Sequence, residues 1–335
     1  MKQFLHDPVL RTDVRRWPLR QPFAISRHVF QDNLVLQVDI DCGGQVGRGE
    51  CEPHEFDEAV TRVAASELQA LDYSAWAHLD PLRMNAKVPR CAWRNALDCA
   101  LWDLRAKRGG RRVWEMLGLD LDPGASFPIF QTLGLDTPQR MATAAAASRA
   151  APGLKIKLGG ADGRDAERLE AIRGAAPGMP LCIDANEGWS PEELARFLPL
   201  AARLDVAFIE QPVPRALESA LARMPHLVPL CADESCLDRA SLPALRGLYQ
   251  MVNIKLDKTG GLTEALALAE EADRLGMQYM VGCNAGSSLA QAPAVLLARG
   301  AVVVDLGVSS LAADHVPPLD DSDYRIRLPP RELWG

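Results

Sequence analysis

Several features are missing from this 335-residue chain, and each absence excludes something. No uninterrupted apolar run approaches the roughly 20 residues that a bilayer-spanning helix needs, so no membrane partner is expected. No block of lysine and arginine stands out, and 37 basic against 44 acidic residues leave a net charge of -7. Nucleic acid is therefore not an expected partner. The overall charge does not settle a substrate's charge, which local fields decide. There is no C-x-x-C pair among the eight cysteines, Cys42, Cys51, Cys91, Cys99, Cys182, Cys231, Cys236 and Cys283. Cys182 and Cys231 lie inside apolar strand patterns, which favours buried free thiols in a cytoplasmic protein over a disulfide framework. The opening stretch MKQFLHDPVLRTDVRR lacks an apolar core, so no signal peptide is expected there. Low-complexity segments are absent, and so is any repeat beyond the strand period described below.

What is present is an ordinary globular composition, 48% hydrophobic and 24% charged, at a length that suits a barrel plus a second domain. Residues 8 to 50 alternate with period two in PVLRTDVRRWPL and LVLQVDIDCGG, with Gly43-Gly44 as a hairpin turn, and GQVGRGEC gives a third short strand. Between the first two lies QPFAISRHVFQD, which reads as polar and turn-like, with Arg27 and His28 near its middle. From 57 to 118 the pattern is helical. Asp57 is positioned to cap DEAVTRVAASELQAL, and AWRNALDCALWDLRAKRGG places Ala96, Ala100, Leu101 and Leu104 on one face before stopping at Gly109-Gly110. Strands followed by helices predict an α+β domain over 1–122, joined by the C-terminal segment 311–335.

After a linker at 119–126 the chain alternates strand and helix. The expected strands are 127–133, 153–158, 180–184, 206–210, 228–232, 250–255, 277–282 and 301–305. Thr137-Pro138 and Ser190-Pro191 are N-cap then N1 signatures. Eight such units predict an α/β fold, a (β/α)8-type barrel over 123–310 capped by the α+β domain. The last 30 residues, with VPPLDD and LPP, cannot form another unit and are expected to return to the first domain.

A charged residue closes one apolar strand after another. Lys157, Asp184, Glu210, Asp233 and Lys255 fall at intervals of 27, 26, 23 and 22 residues, the length of one strand-plus-helix unit. Barrel strand ends converge, so Asp184, Glu210 and Asp233 would repel one another strongly unless a hard cation such as Mg²⁺ lay between them. Lys155 and Lys157 are two apart on one strand and share a face, which burial requirements assign to the interior. Each is expected to depress the other's pKa, as a general base near neutrality needs. Lys255, closing strand six well round the barrel from strand two, is either a solvated strand-end lysine or a second amine facing the first across the metal. Together they suggest proton abstraction beside a carboxylate, with Mg²⁺ stabilising the enediolate charge. Two working lysines would give racemisation or epimerisation; one alone would permit loss of a β-leaving group.

The runs KIK, DANEGW, IEQPV, ADES and NIKLDKTGG resemble the enolase superfamily, muconate-lactonising-enzyme subgroup. Within it the chain is most similar to the dipeptide epimerases, including the L-Ala-D/L-Glu epimerases, through almost its whole length. The resemblance implies that Asp184, Glu210 and Asp233 bind Mg²⁺ and that Lys157 and Lys255 are the acid/base pair. It implies that Lys155 contacts the substrate carboxylate, that loops around Arg27 and His54 close over the barrel, and that Asn186, Glu234 and Lys258 orient the catalytic groups.

The stretch after strand eight departs from that pattern. The dipeptide epimerases carry Asp-x-Asp there to hold the substrate ammonium, whereas this chain has Asp305-Leu306-Gly307. In GCNAGSSLAQAP, Asn284 and Gln291 stand where methionine is common. Two explanations stay open, family drift with Asp305 alone pairing the ammonium, or an N-acylated substrate. The substrate-binding candidates are Lys155, Arg27, Cys283, Asn284, Ser287 and Asp305. Arg27 could equally be a solvated loop arginine, and Ser287 a helix cap. The expectation is a Mg²⁺-dependent epimerase of dipeptides, with an N-acylamino-acid racemase or an o-succinylbenzoate-synthase-like enzyme as the enzymatic alternative. A silent barrel that binds a metal and a carboxylate is the non-enzymatic one. The partner is a small-molecule carboxylate, and a homo-oligomer is expected.

Overall fold

The N-terminal alternation becomes a three-stranded antiparallel sheet of β1 (Val9–Ala24), β2 (Val29–Cys42) and β3 (Gln45–Cys51), in that order. The computed structural model describes residues 8–53, 58–71, 80–91, 93–284 and 286–335. Gly43 and Gly44 turn β2 into β3 with φ of 65° and 81°. The segment expected to be turn-like is mostly strand. Phe23 pairs with Phe30 and Ala24 with Val29, so only 25–28 forms the turn. The register of β1 shifts between Pro18 and Phe23. There the chain takes another partner: Leu19 bridges to Leu311, the Arg20 amide donates to Ser310 O at 2.8 Å, and the Ala312 amide donates to Pro18 O at 2.8 Å. Pro18 and Pro22 have no N–H to give to the ladder, which an edge strand tolerates.

Among the described residues four helices follow: α1 (Glu58–Gln69), α2 (Pro81–Lys87), α3 (Arg94–Gly109) and α4 (Val113–Met116). The expected cap Asp57 lies outside the described residues. Asp80 caps α2, its side chain accepting from the Arg83 amide at 2.8 Å. Helix α3 ends on Gly110 in the left-handed conformation. It buries Ala96, Ala100 and Leu104, with Leu101 half-buried beside them. It can lie directly on β3 because β3 has glycines beneath it. A Cβ at Gly49 would collide with the Ala96 carbonyl, and one at Gly47 with that of Ala100.

The remaining chain runs β4 (Ser126–Pro128), β5 (Gln131–Leu133), α5 (Pro138–Ala147), β6 (Leu154–Lys157), α6 (Asp165–Ala175), β7 (Leu181–Asp184), α7 (Pro191–Arg203) and β8 (Val206–Glu210). It continues through β9 (Leu230–Ala232), α8 (Leu242–Leu245), β10 (Met251–Ile254), α9 (Leu256–Thr259), α10 (Leu262–Arg274), β11 (Gln278–Gly282), α11 (Ser288–Gln291), β12 (Val304–Asp305) and β13 (Arg325–Arg327). Strands β5 to β12 form one parallel eight-stranded sheet, each beside its sequence neighbour. The Phe130 amide donates to Val304 O at 3.0 Å and brings the first and last of them together. Thr137 and Ser190 cap α5 and α7, and Ser190 forms a reciprocal box with Glu193.

The expected strand 127–133 is in fact two. Its first half, β4, pairs antiparallel with β13 outside the barrel sheet, and only 131–133 enters the barrel. The crossovers also vary. A 3-10 helix over Arg215–Arg223 joins β8 to β9, and α8, α9 and α11 are single turns. The C-terminal residues reach α3: Trp334 Nε1 donates to Cys99 O at 3.0 Å, and the Gly335 amide donates to Asp103 at 2.6 Å. None of the eight cysteines is in a disulfide. Among the described residues no helix is long and apolar enough to cross a membrane.

Inside the barrel, Cys182, Phe208, Cys231, Met251, Met280 and Val303 make a separate apolar cluster. Two residues further along their strands stand Asp184, Glu210, Asp233, Asn253, Gly282 and Asp305. Side chains two apart share a face, so the apolar layer is the floor on which a polar layer rests.

Candidate active site

The polar layer gathers the residues that the strand-end pattern singled out. One carboxylate oxygen from each of Asp184, Glu210 and Asp233 lies within 4.8 Å of the others, and all three residues are buried. Lys155, on β6, is 1% exposed. Its Nζ is 2.7 Å from Glu210 Oε2, 2.8 Å from Asp305 Oδ2 and 3.1 Å from Asp184 Oδ2. Lys157, at the end of the same strand, donates to Asp184 Oδ2 at 2.7 Å and to Asn186 Oδ1 at 3.0 Å. Across the barrel, directly after β10, Lys255 Nζ is 2.7 Å from Asp233 Oδ2. Lys258, one turn on, pairs with Asp233 Oδ1 and donates to Asn253 O at 2.9 Å.

The electrostatics differ from the sequence expectation at Lys155. Burial disfavours its charge, but Asp305, Glu210 and Asp184 outweigh burial and raise its pKa well above the ordinary lysine value. The neighbouring lysine that was expected to depress it is outnumbered by carboxylates. Burial likewise pushes Asp184 up, but Lys157 and Lys155 outweigh it and hold Asp184 below the usual carboxylate range. Asp233 is held low in the same way by Lys255 and Lys258. Glu210 is the exception: burial and the Asp184 charge push it up, with Lys155 opposing. An all-oxygen, buried donor set with one member short of positive charge fits a hard divalent cation.

Asp305 faces this layer with both oxygens engaged. Oδ2 takes Lys155, and Oδ1 accepts from Thr132 Oγ1 at 2.7 Å. The half-buried thiol Cys283 lies 3.8 Å from Asp305 O. Gly307 has φ +153°, and its amide and carbonyl are both held by the Gln291 side chain, at 2.7 and 3.0 Å. Asn284 Oδ1 is buried with no hydrogen-bond partner among the described residues. Ser287 caps α11, accepting from the Leu289 amide at 3.1 Å, and its own amide donates to Glu50 at 2.9 Å.

Arg27, at the β1–β2 turn, is occupied. It contacts Glu187 Oε2 at 2.8 Å and Glu234 Oε1 at 2.7 Å. Burial and the charges of Asp233 and Asp184 push Glu234 towards neutrality, opposed by Lys255 and Arg27. The Asn186 side-chain Nδ2 donates to the same Glu234 oxygen at 3.4 Å. His54 lies outside the described residues. Trp189 donates to Asp165 at 2.8 Å and packs against Phe197, with ring centroids 4.6 Å apart.

Sequence reasoning passed over three residues. Asn253 donates to Glu210 Oε1 at 2.7 Å. It stands two before Lys255 as Lys155 stands two before Lys157, so the same alternation could have found it. Gln211 accepts from the Asp233 amide at 2.9 Å and donates to Val213 O, Ser235 Oγ and Tyr249 OH. Thr132 positions Asp305 and carried no local signal.

Similarity to known proteins agrees with this geometry. Residues 139–331 match the model of the Enolase C-terminal domain-like family, and residues 9–118 that of the mandelate racemase / muconate lactonizing enzyme N-terminal domain. The chain is 41% identical to the L-Ala-D/L-Glu epimerase of Escherichia coli K12 over 93% of its length and 97% of that protein's. It is 42% identical to an N-acetyl-D-glutamate racemase of a Pseudoalteromonas species, over 78% of this chain and 82% of the other. A solved enolase family member from Agrobacterium tumefaciens, with homology to dipeptide epimerases and holding sodium and L-Ala-L-Glu, superposes with a TM-score of 0.91 at 40% identity. That match covers 98% of this chain and 100% of the other. With both halves matched and the barrel mouth so furnished, the chain belongs to the mandelate racemase/muconate lactonizing enzyme family of the enolase superfamily.

Proposed function

We propose that this protein is a Mg²⁺-dependent isomerase that inverts the α-carbon of a dipeptide at the residue carrying the free carboxylate. The observation that carries the reading is a pair of lysines on opposite sides of the barrel. Lys157 and Lys255 each stand 2.7 Å from a different member of the carboxylate triad. Asp184, Glu210 and Asp233 would hold the ion, which when bound supplies Lewis-acid stabilisation of the negative charge that grows on the substrate carboxylate. One lysine, neutral at Nζ, takes the α-proton from one face, and the other delivers a proton from its ammonium to the opposite face. Nothing is oxidised, and the two lysines exchange roles for the reverse reaction. Lys155, held charged by its neighbours, would pair with the substrate carboxylate.

A second reading is favoured by the strand-eight end. Asp305 has both oxygens engaged, position 307 has no side chain, and Asn284 offers a buried neutral acceptor. That suits an N-acyl amide better than an ammonium. We divide the chain into a cap, 1–122 with 311–335, and a barrel, 123–310. Its cysteines, none of them in a disulfide, suit a reducing compartment, and on that ground we propose a cytoplasmic location.

Incubation in D₂O with Mg²⁺ tests the function. Deuterium should enter the α-position of L-Ala-L-Glu or L-Ala-D-Glu, with inversion. Lys157→Ala or Lys255→Ala should abolish inversion, and near-normal turnover by either variant refutes the two-base scheme. Exchange confined to N-acetyl-glutamate would replace the dipeptide by the second reading, and exchange with neither substrate type would refute the epimerase.

A further inference from the structure

We propose that Arg27 is a positioning residue that couples the seating of the cap hairpin to the orientation of Lys157. The inference rests on the two-base reading above. Arg27 reaches across from the cap to two barrel loops, to Glu187 in the loop after β7 and to Glu234 in the loop after β9. Its neighbour Ser26 donates from Oγ to Asn186 O at 3.2 Å.

The loop it holds is a strained one. Asn186 and Glu187 have φ of 44° and 63°. Residues with a side chain adopt that conformation at a cost, and surrounding contacts must over-determine it. Some of those contacts lie within the barrel: the Asn186 amide donates to Asp184 Oδ1 at 2.9 Å, and the Glu187 amide donates to Gln211 O at 2.8 Å. The Arg215 amide adds a third, donating to Glu187 Oε1 at 3.1 Å, and from the cap come those of Ser26 and Arg27.

From this turn the Asn186 side chain points two ways. Its NH₂ donates to the Glu234 oxygen that Arg27 also holds, which obliges the carbonyl oxygen to face Lys157. An ammonium has three N–H directions. Asp184 and Asn186 take two of those of Lys157, so the third is set. That remaining direction is where a proton must leave or arrive. Without Arg27, Glu234 loses its partner across the interface and the Asn186 amide is free to rotate. Lys157 then keeps its charge partner but loses its aim.

Lys255 meets this line at Glu234, which feels its charge. Its partner Asp233 is fixed separately, by Lys258 at the side chain and by Gln211 at the amide. Arg27, tied to Lys157 through the hydrogen bonds of Asn186, should therefore matter more for one face of the α-carbon than for the other, whereas a general loosening of the cap would affect both alike.

The test measures α-proton exchange in D₂O separately from each epimer. It uses the L-Ala-Glu pair or the N-acetyl-glutamate pair, whichever the wild type exchanges. Lys157→Ala identifies the epimer whose proton Lys157 removes. Arg27→Met should slow exchange from that epimer by about tenfold or more and leave the other within about twofold, because misaim of a reacting group is costly while its partner across the barrel is disturbed less. Arg27→Lys should lie between, since one ammonium cannot span both carboxylates as the guanidinium fork does. If Arg27→Met does not fold by circular dichroism, Ser26→Ala should give the same asymmetry at about threefold, because it deletes a single hydrogen bond to the Asn186 turn. Equal slowing of both epimers, or no slowing, overturns the proposal while the two-base reading survives. No exchange by the wild type from any of these substrates overturns both.

Discussion

Replacing Lys155 by methionine isolates the charge balance of the site. The side chain is fully enclosed and its ammonium lies 2.7 to 3.1 Å from three carboxylates. Methionine fills nearly the same volume without the charge. Breaking a buried pair by removing one partner costs about 3–5 kcal/mol. For a chain of 335 residues the entropy of unfolding is about 0.7 kcal/mol/K, so the metal-free variant should melt about 4–7 °C below the wild type. The same substitution should strengthen cation binding. A unit charge pair at 4 Å is worth about 4 kcal/mol at an effective dielectric of 20, and a third of that is about tenfold in Kd. Differential scanning calorimetry in EDTA and in MgCl₂, with titration calorimetry of Mg²⁺, reads both quantities. The expected pattern is a larger Mg²⁺-induced rise in Tm for Lys155→Met than for wild type. A variant that melts with the wild type in EDTA, or that gains no more from Mg²⁺, would refute the placing of the ion among these carboxylates.

Trp334→Ala should cost about 3–5 kcal/mol by urea denaturation, since the indole is fully buried and donates to Cys99 O; a loss under 1 kcal/mol would show that the C-terminal residues do not brace α3. Burial pushes Asp98 up to about 7, although Thr263 donates to it twice. An acid whose pKa is raised in the folded state binds its proton there more tightly, so its contribution is present below the unfolded value of 3.8 and is lost as pH rises towards about 7. Asp98→Asn should flatten the fall in stability across that window, and an unchanged slope of Tm against pH between 4 and 7 would contradict it.

Much of the barrel was legible because its signals are local. The strand-end charges repeat at a fixed interval, the proline after Thr137 and Ser190 marks each helix start, and alternation put Lys155 and Lys157 on one face. The three carboxylates converge because that periodicity and the barrel geometry leave them nowhere else to point. What escaped depends on partners distant in sequence. The split at 129–130 exists because β13, almost 200 residues later, claims Ser126–Pro128. QPFAIS looked like a loop because the β1 residues just before it, 18–20, change partner to the 310–312 segment and the pairing with β2 resumes only at Phe23. Arg27 could be a substrate-binding residue or a solvated arginine in the sequence, and only the fold shows Glu187 and Glu234 beside it. The pKa of Lys155 was misjudged because a lysine two residues away is visible in the sequence, while the approach of Asp305 across the barrel seam is not.

The cap touches the surroundings of both lysines. On one side Ser26 and Arg27 hold the Asn186 turn; on the other, Asn95 Nδ2 and the Glu52 amide donate to Asp257, at 2.7 and 3.1 Å, two residues beyond Lys255. In modular terms, the two halves of this chain are not interchangeable parts. A barrel transplanted under a foreign cap would keep its carboxylates and lysines yet lose the common frame that registers one amine against the other. Selection on the cap surface is thereby tied to the chemistry at the barrel mouth, through residues that hold the turns next to the lysines.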